Sequence, residues 1–188
     1  MTRVILSLNS DVPFGVNVLR NDCGAALAIA NATRGQFIRC NVLSGAMVTD
    51  QGIIEGRAAD VVRYRMNLHA DVSIFADVHV KHAAPLKGSC IAGTARDTVH
   101  RGLADAVIVT GSETGAPPSL QDLEVVKKAV PDTFLFAGSG CTPENVEPLL
   151  EYADGCIVGK GFKKHGKMEN PVDTKRVAAF MEVIETLR

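Results

Sequence analysis

The chain has 188 residues, of which 46% are hydrophobic, and its formal net charge is −1. This is enough apolar material for one buried core. The near balance of 20 basic and 21 acidic residues disfavours nucleic acid as a partner, and no apolar run is long enough to predict a membrane span. The cytoplasm is the expected compartment, with an organelle of a eukaryotic host left open. The five cysteines show no C-x-x-C spacing, so free thiols are expected.

Short apolar segments alternate along the chain with longer segments of helical character. The predicted strands are rich in β-branched residues and cover 13–19, 36–43, 71–80, 104–110, 132–137 and 154–158. The predicted helices cover 23–32, 57 to about 69, 93–102, 120–130, 143–152 and 172–187, and residues 44–56 are expected to form a long loop. A βα unit that repeats about six times implies a parallel sheet covered by helices.

No linker divides the chain, so residues 1–188 are predicted to form a single domain. A complete (β/α) barrel has eight βα units in about 250 residues, and this chain has about six. Three alternatives follow: an incomplete barrel, a truncated gene model and a doubly wound open sheet. A sheet with two open edges is an aggregation hazard, which a homo-oligomer or an upstream segment would relieve.

Two glycine-rich turns follow the last two predicted strands. The first contains Gly138, Ser139 and Gly140, and the second contains Gly159 and Lys160. Glycine lets the backbone approach a ligand closely, and in (β/α) barrels the loops after the last two strands commonly bind phosphate. The pattern therefore predicts a phosphate site, with simple tight turns as the alternative.

Polar residues interrupt the first three predicted strands. Alternation along a strand places Arg39 and Asn41 on one face, and likewise Asp77 and Lys81, with Asn17 at the end of the first strand. Polar groups inside a barrel are costly unless they are paired. Their clustering predicts a reaction site, and the alternative is a structural network in which Arg39 pairs with Asp77.

The residue types suggest roles for this cluster. Asp77 is the candidate general acid or base, with Arg39 and Asn41 beside it. Lys81 is a candidate Schiff-base nucleophile or general base, or else a partner for an anionic group. His79 is expected on the same face as Asp77. No dinucleotide cofactor is predicted, because no G-x-G-x-x-G follows an early strand. No metal site is predicted, because His79 and His82 are three residues apart and would lie on opposite faces of a strand.

Three more residues are predicted to contact a substrate. Arg20 closely follows the first strand, and Thr110 and Gly111 begin the small, hydroxyl-rich loop after the fourth strand. Loops of this composition suit ligand contact, and solvated turns are the alternative.

Several blocks along the chain together resemble the BtpA/SgcQ family. They span nearly the whole chain in order and comprise residues 15–22, 37–42, 49–56, 76–83, 108–111, 138–140 and 170–173. The resemblance implies a TIM barrel of the ribulose-phosphate-binding type. Two classes of function follow. The glycine turns and the polar cluster favour an enzyme acting on a phosphorylated small molecule such as a sugar phosphate, by isomerase or lyase chemistry. The family resemblance suggests as the alternative a non-catalytic biogenesis factor for a membrane complex such as photosystem I.

Two departures from the family pattern stand out. The N-terminal stretch that members usually carry, with the first strands and a His-Pro…Pro-Gly segment, is not found in this sequence. The second glycine turn has Lys160 where a small hydroxyl residue is expected, which would alter the phosphate site.

Overall fold

The computed structural model describes residues 12–50, 52–80, 83–86, 88, 90–111 and 115–187. The strands among them are β1 Gly15–Val16, β2 Phe37–Cys40, β3 Ala46–Thr49, β4 Gly52–Glu55, β5 Ser73–Val78, β6 Ala83–Pro85, β7 Ala106–Thr110, β8 Phe134–Gly138 and β9 Gly155–Ile157. The α-helices are α1 Cys23–Thr33, α2 Ala58–Asn67, α3 Ile91–Arg96, α4 Leu120–Ala129, α5 Val146–Leu150 and α6 Thr174–Thr186. A π-helical turn, Asp97–Arg101, continues α3, and the 3-10 turns Lys160–Phe162 and Lys164–Gly166 precede α6.

Six strands form one parallel sheet in the order β1-β2-β5-β7-β8-β9. Each neighbour follows the previous one along the chain with a helical connection, which is the arrangement of a (β/α) barrel wall. The carboxyl ends of all six strands therefore meet at one edge, where the predicted site residues lie. The prediction of about six βα units is confirmed for the described residues.

The predicted loop at residues 44–56 is wrong, because β3 and β4 form an antiparallel hairpin there. The turn is made at Gly52, whose φ is +100°, a value that favours glycine. Met47 points into a small buried cluster with Val42 and Val80, and β6 adds a third strand.

The predicted faces of β2 are confirmed. Ile38 and Cys40 are fully buried in one cluster with Leu27 of α1, so the apolar face packs against the helical layer. The opposite face lines the inside of the curved sheet, where the ring of Phe75 stacks on those of Phe37 and Phe136 at centroid distances of 4.6 and 5.2 Å. Arg39 and Asp77 therefore lie inside the barrel, two residues beyond Phe37 and Phe75 towards the carboxyl ends.

The expectation that all five cysteines are free is wrong for one pair. Cys23, at the start of α1, is joined to Cys40, at the end of β2, by a disulfide, and their Cα atoms are 5.6 Å apart. The α1–β2 contact brings these residues together, although 17 positions separate them along the chain. Cys90, Cys141 and Cys156 are free.

Two aspartates, Asp105 and Asp154, make matching contacts at the amino ends of β7 and β9. Asp105 Oδ2 accepts hydrogen bonds from the Ile74 amide and from Arg65 Nη1, both at 2.7 Å. Asp154 Oδ2 accepts from the Leu135 amide at 2.8 Å and from Lys127 at 3.0 Å. Each aspartate thus ties the start of its strand to a neighbouring strand and to a helix.

Candidate anion-binding site at the carboxyl ends of the strands

An ion pair between β2 and β5 lies inside the carboxyl end of the barrel. Arg39 Nε and Nη2 each donate a hydrogen bond to the Asp77 carboxylate at 3.0 Å. The Asp77 side chain is fully buried, and that of Arg39 is 22% exposed. A two-pronged contact of this kind fixes the orientation of both groups, so the guanidinium is held at the mouth of the barrel.

Two asparagines extend this ion pair towards β1. Asn41 Nδ2 donates to Asp77 Oδ2 at 2.7 Å. Asn17 Nδ2 contacts Asn41 Oδ1 at 3.2 Å and the Arg39 carbonyl at 2.8 Å. The four side chains form one network across three strands, which is the pairing that the structural alternative required. The same network also gathers four of the predicted site residues in one place.

The two glycine-rich turns lie side by side at the carboxyl ends of β8 and β9, the last two strands of the sheet. Ser139 and Gly140 have φ values of 74° and 65°, and a side chain at Gly140 would collide with the backbone at Pro117. Glycine is therefore required there by both backbone conformation and space. At Gly159 the position of a Cβ has no neighbouring atom within 4 Å, so this glycine leaves open space in front of the turn.

A cavity of about 330 Å³ joins the two turns to the polar network. Its lining includes Arg39, Ser139, Gly140, Gly159 and Lys160. Ligand pockets of this size are typical for small molecules. Arg39 and the two glycine turns therefore face one cavity at the carboxyl ends of the strands.

Backbone amides are available along this cavity. Within the described ranges, the amides of Gly140, Cys141, Lys160 and Gly161 donate no hydrogen bond. All four residues line the cavity. Unpaired amides that converge on a concave surface are the usual protein contribution to an anion site.

The charged residues that line the cavity are of one sign among those that the structure describes. The described lining residues include Arg39, Lys160 and Arg176 and no carboxylate. Lys160 extends towards the loop after β7, where its Nζ is 3.8 Å from the position that a Cβ at Gly115 would take. A positive lining with available amides favours an anionic ligand.

Comparison with known proteins identifies the family. The model of the BtpA family matches residues 1–186. The chain belongs to the BtpA family. It is 47% identical over 186 residues to the photosystem I biogenesis protein BtpA of Synechocystis sp., covering 98% of this chain and 65% of that protein. It is 37% identical over 191 residues to the putative sgc region protein SgcQ of Escherichia coli K12, covering 100% of this chain and 70% of SgcQ. The chain thus spans about two thirds of the length of these relatives.

Solved structures agree on the architecture. Phosphoribosyl anthranilate isomerase of Thermus thermophilus has a TM-score of 0.64 at 15% identity, covering 100% of this chain and 79% of that chain. An archaeal fructose 1,6-bisphosphate aldolase has a TM-score of 0.60 at 14% identity, covering 98% and 76%. The resemblance at these identities concerns the fold, and it shows that this BtpA-family chain has the fold of a TIM barrel.

Some predicted site residues lie beside the cavity without lining it. Thr110 is buried opposite Gly138 in the sheet, and a Cβ at Gly138 would lie 2.8 Å from Ile108 Cγ2. Gly111 packs against the backbone at Ala116. Gly138 and Gly111 thus allow close packing around the site, and their roles in ligand binding stay predictions.

Two predicted site residues, Arg20 and Lys81, remain to be placed. Arg20 forms an ion pair with Asp50 in the turn of the β3–β4 hairpin, so it ties the hairpin to the end of β1. Lys81 lies outside the described residues.

His79 departs from the predicted alternation. Its φ is +53°, which turns the side chain away from the face of Asp77. His79 Nε2 lies 3.2 Å from Thr94 Oγ1 of α3, and burial lowers the pKa of its imidazole, opposed by the attraction of Asp122. The expectation that His79 shares a face with Asp77 is therefore wrong, because alternation holds only while the backbone stays extended.

Arg176, in the first turn of α6, lines the cavity, and it is not among the site residues predicted from the sequence. The signal that could have indicated it is the charge of the residues at the start of the helix. The first turn of α6 contains no acidic residue, although acidic residues are favoured there and cations are disfavoured. Lys175 and Arg176 occupy that turn instead.

Two thiols lie directly behind the first glycine turn. Cys141 is buried and its thiol contacts the carbonyl oxygens of Ser139 and Ala137 at 3.5 and 3.7 Å. A hydrogen bond between the two thiols raises the pKa of Cys141 and lowers that of Cys156, and burial adds to the increase at Cys141. Cys156 is therefore the more readily ionised thiol of this pair.

Proposed function

We propose that this BtpA-family chain binds a phosphorylated small molecule, similar to a sugar phosphate, in the cavity between the two glycine turns and Arg39. The observation that carries the proposal is the composition of the lining among the described residues: Lys160 and Arg176, the Arg39 guanidinium paired with Asp77, several unpaired amides and no carboxylate. Phosphate oxygens accept hydrogen bonds from such amides, and the cations balance the phosphate charge. In this proposal Ser139, Gly140, Gly159 and Lys160 hold the phosphate.

The organic part of the ligand would extend from the phosphate towards Arg39. Arg39 is the link, since it lines the cavity and also binds Asp77. We propose that Arg39 and Asn41 orient an oxygen of the ligand and that Asp77 transfers a proton next to it, which is the requirement of isomerase and lyase reactions. Lys81 would supply a Schiff base or a second cation.

The comparisons support this class of ligand only through the fold. Two of the similar structures are a phosphoribosyl anthranilate isomerase and a fructose 1,6-bisphosphate aldolase, and those reactions belong to those proteins. Barrels of this fold commonly bind phosphate at the loops after their last two strands, which is where the cavity lies.

A pair of variants at Gly159 tests the proposal. Since a Cβ at Gly159 has free space around it and its φ is −112°, Gly159→Asp introduces a negative charge without a backbone clash. Gly159→Asn is the matched neutral control. Calorimetric titration with glycerol 3-phosphate should show binding to the unmodified chain and to Gly159→Asn, with at least about tenfold weaker binding to Gly159→Asp. Equal affinity in the two variants, or no binding to the unmodified chain, would remove the proposal.

A second candidate is a non-catalytic biogenesis factor that binds a membrane complex. Its support is the similarity to the Synechocystis relative, which is named a photosystem I biogenesis protein, together with one surface feature. Val48 and Ile53 pair across the β3–β4 hairpin with 44% and 59% of their surfaces exposed, and exposed apolar pairs suit protein contacts. No helix among the described residues is long and apolar enough to cross a bilayer.

The two candidates can be separated experimentally. If the second is right, Val48→Lys with Ile53→Lys should abolish co-purification with a detergent-solubilised photosystem I preparation and leave glycerol 3-phosphate binding unchanged. Co-purification that survives both substitutions would exclude the hairpin as the contact surface.

A further inference from the structure

Arg176 is held against the second glycine turn. Its Nε donates a hydrogen bond to the carbonyl oxygen of Gly161 at 2.6 Å. The side chain also lines the cavity, next to the unpaired amide of Gly161. One contact to the turn therefore restricts the guanidinium, while its two terminal amino groups stay available.

Among the described residues, the positive charge of Arg176 has no acidic partner within ion-pair distance. Within the part of the chain that the structure describes, neither Arg176 nor Lys160 forms a salt bridge. Arg39, by contrast, is neutralised by Asp77. Glu144 interacts only weakly with Arg176, because its pKa is lowered mainly by a hydrogen bond from Thr142 and least by the attraction of Arg176.

Among the described residues, the cavity thus has two cations without an ion-pair partner at its glycine end and a neutral ion pair at its other end. A phosphomonoester carries nearly two negative charges above its second ionisation near pH 6, whereas a phosphodiester, a carboxylate and a sulfate ester carry one. Charge balance at the glycine end therefore favours the dianion.

We infer that Arg176 and Lys160 together select a dianionic phosphomonoester, and that Arg176 determines this specificity through the guanidinium held at Gly161. The inference rests on the proposed phosphate site and deepens it, because it names the class of phosphate ligand. It also assigns a ligand-binding role to a residue of α6 that follows the glycine turns.

The test compares methyl phosphate with methyl sulfate, which have similar shapes and differ by one charge at pH 8. Affinities are measured by titration calorimetry for the unmodified chain, Arg176→Gln and Lys175→Gln. Glutamine at position 176 can still donate to the Gly161 carbonyl but carries no charge. Lys175→Gln removes the same charge from the same helical turn at a residue that does not line the cavity. The midpoint of thermal unfolding of each variant shows whether the fold is retained.

The unmodified chain should bind methyl phosphate at least about tenfold more tightly than methyl sulfate, since charge-assisted hydrogen bonds to a second cation contribute at this scale. Arg176→Gln should lose most of that preference with little change in unfolding temperature, and Lys175→Gln should retain it. Arg176→Lys, which restores the charge without the two-pronged geometry, should recover part of the preference.

The possible failures are distinct. If methyl phosphate binds tightly and its preference over methyl sulfate is unchanged in Arg176→Gln, the inference about Arg176 is wrong and the phosphate site remains. If neither ester binds to the unmodified chain, the proposed function fails and the inference fails with it. If Arg176→Gln unfolds at a much lower temperature, Arg176→Lys decides, because it keeps the positive charge. Equal affinities of Arg176→Lys for methyl phosphate and methyl sulfate would then overturn the inference.

Discussion

Replacement of Asp77 by alanine should be strongly destabilising. Its fully buried carboxylate accepts hydrogen bonds from Arg39 and Asn41, so its removal leaves a largely buried guanidinium and a buried amide without a partner. Removal of one member of a buried ion pair costs about 3–5 kcal/mol. Since Arg39 is 22% exposed, water can replace part of the lost contact, and we expect about 3 kcal/mol for Asp77→Ala.

The matched control is Asp60→Ala. Asp60 also contacts arginines, but its side chain is 53% exposed, and an exposed ion pair contributes less than about 1 kcal/mol. Urea unfolding followed by circular dichroism gives the free energy of unfolding for each variant. The double variant Asp77→Leu with Arg39→Met, which removes both charges, should recover at least half of the loss caused by Asp77→Ala.

Equal losses for Asp77→Ala and Asp60→Ala would refute the buried network. A double variant as unstable as Asp77→Ala alone would show instead that the cost arises from lost packing. The first result would leave Asp77 without its fixed orientation, and the proposed proton transfer would lose its structural basis.

Three further predictions concern other parts of the molecule. Because the hydrogen bond from Cys141 lowers the pKa of Cys156, Cys141→Ala should slow alkylation of Cys156 by iodoacetamide at pH 7.5, measured by mass spectrometry; an unchanged rate would contradict the thiol pair. Burial lowers the pKa of His79 from its ordinary 6.5, so the unfolded chain binds the proton more readily, and stability should fall as the pH drops below about 6.5. His79→Gln should flatten that dependence in unfolding experiments between pH 5 and 8, and an identical profile would exclude His79 as its source. Asp154→Asn should destabilise the chain by about 1–2 kcal/mol, since the carboxylate anchors both an amide and a lysine, and a loss below 0.3 kcal/mol would argue against this anchor.

The parallel sheet could be predicted because its strands are short apolar runs separated by helical segments of regular length. Strand alternation also placed Arg39 and Asp77 inside the barrel correctly, since both lie within regular extended backbone. Phe37 and Phe75, two residues earlier, follow the same rule. Local pattern was sufficient wherever a residue's orientation depends only on its own strand.

The rest depends on features that local pattern does not contain. His79 leaves the Asp77 face through a single left-handed backbone angle, which no periodicity indicates. Cys23 and Cys40 meet only through the packing of α1 on β2. Arg176 reaches the cavity because α6 folds back over the second glycine turn, so its partner Gly161 could not be inferred from spacing alone.

The central claim is that the cavity between the two glycine turns binds an anion. Its most direct test is a crystal of this chain soaked in arsenate, with the arsenic located from its anomalous scattering. The account predicts a peak within hydrogen-bonding range of the amides of Gly140 and Lys160 and of the Arg176 guanidinium. A well-ordered, empty cavity under arsenate concentrations that saturate other sites, or a cavity filled by the chain's own side chains, would contradict it.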